Sequence, residues 1–175
     1  MSPTTGRPPS SSGLRRRPST IAPAVSRAQE PFTVAEGVEL LAARLYLTLA
    51  RRFAAHEQEA AIFRRLAAEE QEHARRVALM ASSYAQDPGR YGEVQLDLEH
   101  MARLTREGET LLGLLEDPNV PLALTRAMEL AAELEDKFSG AHAEQMAAQS
   151  NPTLREFFET FMAQDRAHAA LLKPR

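Results

Sequence analysis

Residues 62–76, IFRRLAAEEQEHARR, decide how this chain folds. Positions three, four and seven apart share one face of an α-helix. The face of Glu70 holds Phe63, Leu66, Ala67, His73, Ala74 and Val77, so a helix here turns an acid and a histidine into an apolar stripe. Near the other end the pattern returns. Asp165-x-x-His168 is surrounded at helical spacing by Phe158, Phe161, Met162, Ala169 and Leu172. Each pair also has a lone acid upstream: Glu39 precedes Glu70 by 31 residues, and Glu135 precedes Asp165 by 30. Glu39 shares its face with Ala35, Ala42, Ala43 and Tyr46, and Glu135 with Met128, Ala131, Ala132, Phe138, Ser139 and His142. The chain reads as one helix pair written twice.

Other acids provide the contrast. Glu69 faces Arg65, Glu72 and Arg76 along its own helix, Glu72 faces Arg65, Arg75 and Arg76, and Glu133 faces Arg126, Glu129, Asp136 and Lys137. Those are solvated faces, where each ion pair is worth about 0.2–0.5 kcal/mol. An ionised carboxylate in an apolar interior costs several kcal/mol unless it is paired or binds a metal. No Lys or Arg stands at the helical-neighbour positions of Glu39, Glu70, Glu135 or Asp165. Four inward acids and two histidines match the ligand set of a two-metal carboxylate centre in a four-helix bundle. Iron, manganese and zinc all suit such donors.

Capping chemistry places the helices. Thr33-x-x-Glu36 is a capping box that predicts the start of helix one, which should run to about Ala55. Helix two should span about Glu57 to Tyr84 and stop at Asp87-Pro88-Gly89. Asn119 or Pro121 opens helix three, continuing to about Ala148, and Asn151 caps helix four with Pro152 at its first position. The segment 86–119 must cross the bundle, and its Leu-rich part from Leu96 to Leu115 should form one or two lateral helices. Two hairpins joined by one long crossover between helices two and three is an all-α, ferritin-like topology.

The chain has 175 residues, 43% hydrophobic and 26% charged. That suits one soluble globular domain. No apolar run approaches the roughly 20 residues of a membrane span. There is no Gly-rich phosphate loop and no nucleophile elbow. The absence of Cys removes disulfides and fits a reducing, cytoplasmic compartment.

The net charge of −3 conceals two regions. Residues 1–29 carry Arg7, Arg15, Arg16, Arg17 and Arg27 and no acid, giving +5 and leaving −8 for the remainder. The first region is rich in Ser, Pro and Thr and lacks a hydrophobic period, so it reads as a disordered tail. The bundle then occupies residues 30–175. The arginine triplet lacks the apolar stretch of a twin-arginine signal, and the prolines argue against an amphipathic transit peptide. Nucleic-acid contact through five arginines would be weak and salt-sensitive, with no interleaved aromatics to help. A solubilising tail and a docking tail remain.

At Glu39 to Tyr46 (ELLAARLY), Leu49-Ala50 and Ile62 to Arg76, the chain resembles the ferritin-like superfamily and within it the rubrerythrin-like branch. The Tyr seven residues after the first acid and the Phe seven residues before Glu70 are part of that resemblance. It extends over about residues 33–172 and is sharpest in the first two helices. It implies a non-haem di-iron site, two irons held by Glu39, Glu70, His73, Glu135, Asp165 and His168. The implied activity is oxidation of Fe(II) by oxygen or hydrogen peroxide, serving iron handling and protection from oxidative stress. Tyr46 is then a candidate hydrogen-bond donor to a ligand or a radical quencher, beside the plainer role of a packed core tyrosine.

Three positions depart from the family pattern. Asp165 replaces the usual Glu, which implies a weaker or asymmetric half-site on the His168 side. His142 stands where a second Tyr is expected and is either a core histidine or an additional ligand. Phe138 occupies the place of a further Glu implicated in rubrerythrin ligand exchange, which argues against that peroxide cycle. Without Cys the chain also lacks the four-cysteine iron centre of full-length rubrerythrins. Two alternatives stay open: a peroxide reductase with an external electron donor, and a non-enzymatic metal-binding or interaction bundle. The resemblance further implies a homodimer. Ser12-Gly13-Leu14-Arg15-Arg16 is similar to the peptide by which ferritin-like cargo docks into encapsulin shells, so residues 1–29 are a candidate shell-docking tail.

Overall fold

The computed structural model describes residues 30–172, and the expectations placed on residues 1–29 lie outside the described residues. Six helices follow in order: α1 (Glu30–Arg52), α2 (Glu57–Gln86), α3 (Pro88–Tyr91), α4 (Leu98–Glu116), α5 (Leu124–Ala148) and α6 (Pro152–Leu172). No strand occurs among the described residues. The fold is an all-α, ferritin-like bundle. α1 pairs with α2 and α5 with α6, while α4 lies along α1 and α2 meets α6. None of the described helices is long and apolar enough to cross a membrane.

α1 begins three residues before the expected capping box, so Thr33 and Glu36 sit inside the helix rather than opening it. Pro31 is tolerated in a first turn because its missing N–H has no intrahelical partner there. Phe32 also anchors the added turn, its ring 5.5 Å from that of Tyr84 on α2. The other end falls at Arg52 instead of Ala55. The Arg52 guanidinium leaves the helix to donate to the carbonyls of Leu115 (2.8 Å), Asp117 (3.0 Å) and Val120. It thereby satisfies backbone acceptors at and just beyond the α4 C-terminus, adding to the bond that the Asp117 carbonyl accepts from Val120 N–H at 3.3 Å.

The crossover contains one short helix and one long one. Asp87 caps α3, accepting from the Arg90 N–H at 3.2 Å, and Asp97 caps α4, accepting from His100 N–H at 2.8 Å. Met101, Leu104, Gly108, Leu112 and Leu115 form the buried stripe of α4. Gly108 marks a close approach of α4 to α1, since a Cβ there would come within 2.8 Å of Leu41 Cδ2 and that side chain would have to shift. α5 starts at Leu124, later than Asn119 or Pro121. Asn119 is instead tied into a turn, donating from its backbone N–H and its side-chain amide to Asp117 Oδ1 at 2.9 and 3.0 Å. Asn151 caps α6 as expected, accepting from the N–H groups of Thr153 and Leu154 at 2.9 and 3.2 Å.

Candidate metal centre

All six expected ligands converge in the bundle interior. Glu39, Glu70, Glu135 and Asp165 are each no more than 2% exposed, although ionised side chains are rarely buried without partners. Among the described residues their ion-pair partners are histidines alone. Two ligand groups result, with the donor atoms of each within 4.8 Å of one another. Glu39, Glu70 and His73 form one; Glu70, Glu135, Asp165 and His168 form the other. Glu70 belongs to both, one oxygen toward each histidine: Oε2 lies 3.1 Å from His73 Nδ1 and Oε1 3.2 Å from His168 Nδ1.

Three atoms in this centre identify what it is suited to hold. Glu70 Oε1, Glu135 Oε2 and His168 Nδ1 are buried and lack hydrogen-bond partners. His168 Nδ1 approaches the two oxygens at 3.2 and 3.4 Å without hydrogen-bond alignment. Unmet buried polar atoms of this kind are expensive, and one cation within reach of all three would satisfy them together. Carboxylate oxygen with imidazole nitrogen is a donor set that fits divalent iron, manganese or zinc.

The electrostatics follow from the crowding of acids. Burial pushes Glu135 up to about 7, aided by the negative charge of Glu70 and opposed by His168 and Tyr46. Glu70 is also raised, by burial and by the charge of Glu39, against the opposing influence of both histidines. Burial opposes ionisation of Glu39 too, yet contacts with His142 and His73 outweigh it and hold Glu39 below the usual range. His73 and His168 rise to about 10 because their carboxylate neighbours overcome the burial that disfavours imidazolium. The histidines thus balance the acids electrostatically. A cation taking their place must displace protons.

The duplicated sequence places equivalent residues across the bundle from one another. Tyr46 donates to Glu135 Oε1 at 2.5 Å, so it is a hydrogen-bond donor to a candidate ligand of the other hairpin. His142, its counterpart on α5, places Nε2 at 3.2 Å from Glu39 Oε1 and Nδ1 at 2.7 Å from Asp165 Oδ2. With both ring nitrogens engaged by acids, His142 orients those carboxylates and presents no nitrogen to either group. His73 stacks on Phe161 with ring centroids 4.6 Å apart, and the rings of His73 and His168 lie 5.8 Å apart at an interplanar angle of 17°.

The shortened Asp165 was expected to make the His168 side weaker or asymmetric, and the two groups are unequal in membership, four residues on that side and three in the His73 group. Asp165 does not reach the His73 group, and His142 grips its Oδ2. Glu69, expected on a solvated face, is only 32% exposed at its side chain, with Oε2 at 2.5 Å from His168 Nε2. Gln164 likewise places Oε1 3.1 Å from His73 Nε2. Both contacts run between hairpins, so neighbours along one helix cannot reveal them. The signal available was positional: each residue immediately precedes the acid of an acid-x-x-His pair.

No curated protein and no solved structure matches this chain. A family match is clear: the rubrerythrin model aligns with residues 32–174, nearly all of the described bundle and every residue of the centre. The chain belongs to the rubrerythrin family.

Proposed function

We propose that this protein binds two irons between α1, α2, α5 and α6 and oxidises Fe(II) with oxygen or hydrogen peroxide, contributing to iron handling and protection from oxidative stress. The observation that carries this reading is Glu70, a single buried carboxylate common to two acid–histidine groups. Four carboxylates balance the charge of two divalent ions, which explains why a bundle would bury so many acids. Two bound ferrous ions supply the two electrons that take oxygen to peroxide, or peroxide to water.

The chain's residues support that chemistry in distinct ways. Glu70 would serve both irons, and His73 and His168 would each bring an imidazole to one of them. Tyr46 holds its proton at Glu135 Oε1, orienting that carboxylate, and this contact makes its phenol the candidate to intercept a stray oxidising equivalent. Phe158 and Phe161, both at most 1% exposed, keep water from the histidine side. Phe138 in place of a further Glu favours Fe(II) oxidation over a rubrerythrin-type cycle of ligand exchange. The reading includes a homodimer and delivery of oxidised iron into a protein shell reached through residues 1–29, supported by the Ser12–Arg16 motif.

Anaerobic titration should load two Fe(II) per chain, followed by rapid oxidation in stopped-flow mixing with oxygen. Glu70→Ala should abolish both while Glu72→Ala leaves both unchanged. Strong preference for peroxide with slow oxygen reaction would transfer the assignment to a peroxide reductase. Failure to bind iron, manganese or zinc would leave a non-enzymatic bundle.

A further inference from the structure

Each histidine of the centre has an inner and an outer nitrogen, and the outer contacts are chemically unequal. His168 Nε2 faces a carboxylate oxygen of Glu69, whereas His73 Nε2 faces the amide oxygen of Gln164. The amide's orientation is fixed by chemistry. Arg76 Nη1 approaches the same Gln164 atom at 2.8 Å, and a guanidinium only donates, so that atom is the oxygen. His73 Nε2 must therefore donate to it. Glu69 is similarly oriented, its Oε1 accepting from Arg65 Nε at 2.8 Å while Oε2 is left for His168. A proton committed outward at Nε2 leaves the Nδ1 lone pair of each neutral ring facing inward, free to ligate a metal.

We propose that Glu69 and Gln164 are unequal positioning residues, each holding the outer nitrogen of the other hairpin's histidine, and that the carboxylate makes the His168 half the tighter metal position. This inference rests on the metal-binding reading above. A carboxylate acceptor makes a charge-assisted hydrogen bond roughly twice as strong as a neutral one. It also makes the imidazole more basic and fixes its tautomer, and loss of such an outer partner commonly lowers metal affinity about 10–100-fold. The Gln164 oxygen is neutral and already shared with Arg76, so it polarises His73 less. Loading then proceeds in order, His168 half first and His73 half second.

Glu–Gln exchange tests this because it keeps shape and leaves the inward ligands untouched. The probe is Co(II), titrated into the full-length chain by calorimetry with the visible d–d bands recorded in parallel. Glu39→Ala and Glu135→Ala identify which binding event belongs to the His73 half and which to the His168 half. Glu69→Gln should weaken the tighter event about tenfold, shift its d–d bands and leave the weaker event within about twofold. Gln164→Glu should tighten the weaker event about tenfold, narrowing the gap between the two. Circular dichroism of the metal-stripped variants should match the parent. Unchanged affinities and bands in both variants, with two Co(II) still bound, would overturn the inference while sparing the metal centre. Equal weakening of both events would also overturn it, as the mark of a merely structural role. A parent that binds no Co(II) would overturn the metal-binding reading and this inference with it.

Discussion

Replacing Glu135 by Gln should stabilise the bundle when metal is removed and shrink the further stabilisation that metal adds. Glu135 is fully buried, and burial raises its carboxyl from 4.5 to about 7. A group whose folded pKa lies above its unfolded value keeps its proton in the fold longer than in the free chain. Its contribution is complete at low pH and is lost as pH rises from about 4.5 to 7. At about 1.4 kcal/mol per pH unit of displacement, the ionised Glu135 costs the metal-stripped fold about 3 kcal/mol at pH 8. Gln retains an oxygen for the Tyr46 hydroxyl and carries no charge, so Glu135→Gln should recover most of that amount at pH 8 and little at pH 4.5. With metal at about one hundred times its Kd, the parent instead gains about 2.7 kcal/mol from binding, and the variant forfeits part of this with its lost ligand. Urea denaturation of EDTA-treated and Mn(II)-loaded protein at both pH values measures all four quantities. A stripped variant less stable than the parent at pH 8, or a difference independent of pH and metal, would refute the account of Glu135 as an acid kept under strain for a cation.

Tyr46→Phe should cost the stripped protein about 1.5–3 kcal/mol in urea melts, the range for a hydrogen bond to a charged group, since it deprives Glu135 Oε1 of its donor. An unchanged midpoint would mean the phenol and carboxylate do not meet. Arg52→Ala should lower stability by about 1–3 kcal/mol by depriving the Leu115 and Val120 carbonyls of the guanidinium, while metal stoichiometry measured by elemental analysis stays at the parent value. A truncation lacking residues 1–29 should oxidise Fe(II) at the parent rate, because no candidate ligand lies there, and should lose co-purification with a co-expressed encapsulin shell. Retained association would locate docking elsewhere, and lost oxidation would contradict the boundary at residue 30.

Much of the centre was legible because helical faces are local. Glu39, Glu70, His73, Glu135, Asp165 and His168 each stand among apolar residues at three- and four-residue spacing, and the structure brings all six together. The cap at Asn151 was equally local, two backbone N–H groups answering one side chain. What escaped involved partners distant in sequence. The first turn of α1 depends on Phe32 meeting Tyr84, and Asn119 serves a turn with Asp117 rather than a helix start. Glu69 shows the limit most clearly: its own-helix partner Arg65 is real, and so is His168 on α6, which no periodicity along α2 could disclose.

The same reasoning explains why the shortened acid leaves the His73 half, not its own, with fewer donors. His142 and Asp165 are the two departures that fall on the duplicated ligand frame, and they touch each other at 2.7 Å. A tyrosine at position 142 would have one hydroxyl proton to give, as Tyr46 gives its own to Glu135. An imidazole has two nitrogens on opposite sides of a ring, and here one meets Glu39 while the other meets Asp165. Asp165, a methylene shorter than Glu, stays with His168 and Glu135 and does not extend to His73. His142 therefore acts on both halves: it draws Asp165 away from a shared position and holds Glu39 in the half that Asp165 has left. Burial opposes a positive charge on this ring, but the facing acids raise it to about 10, so it adds a third cationic imidazole beside those of His73 and His168. The unequal membership of the two groups thus goes with one contact inside the α5–α6 hairpin, His142 to Asp165, and one that crosses to α1, His142 to Glu39.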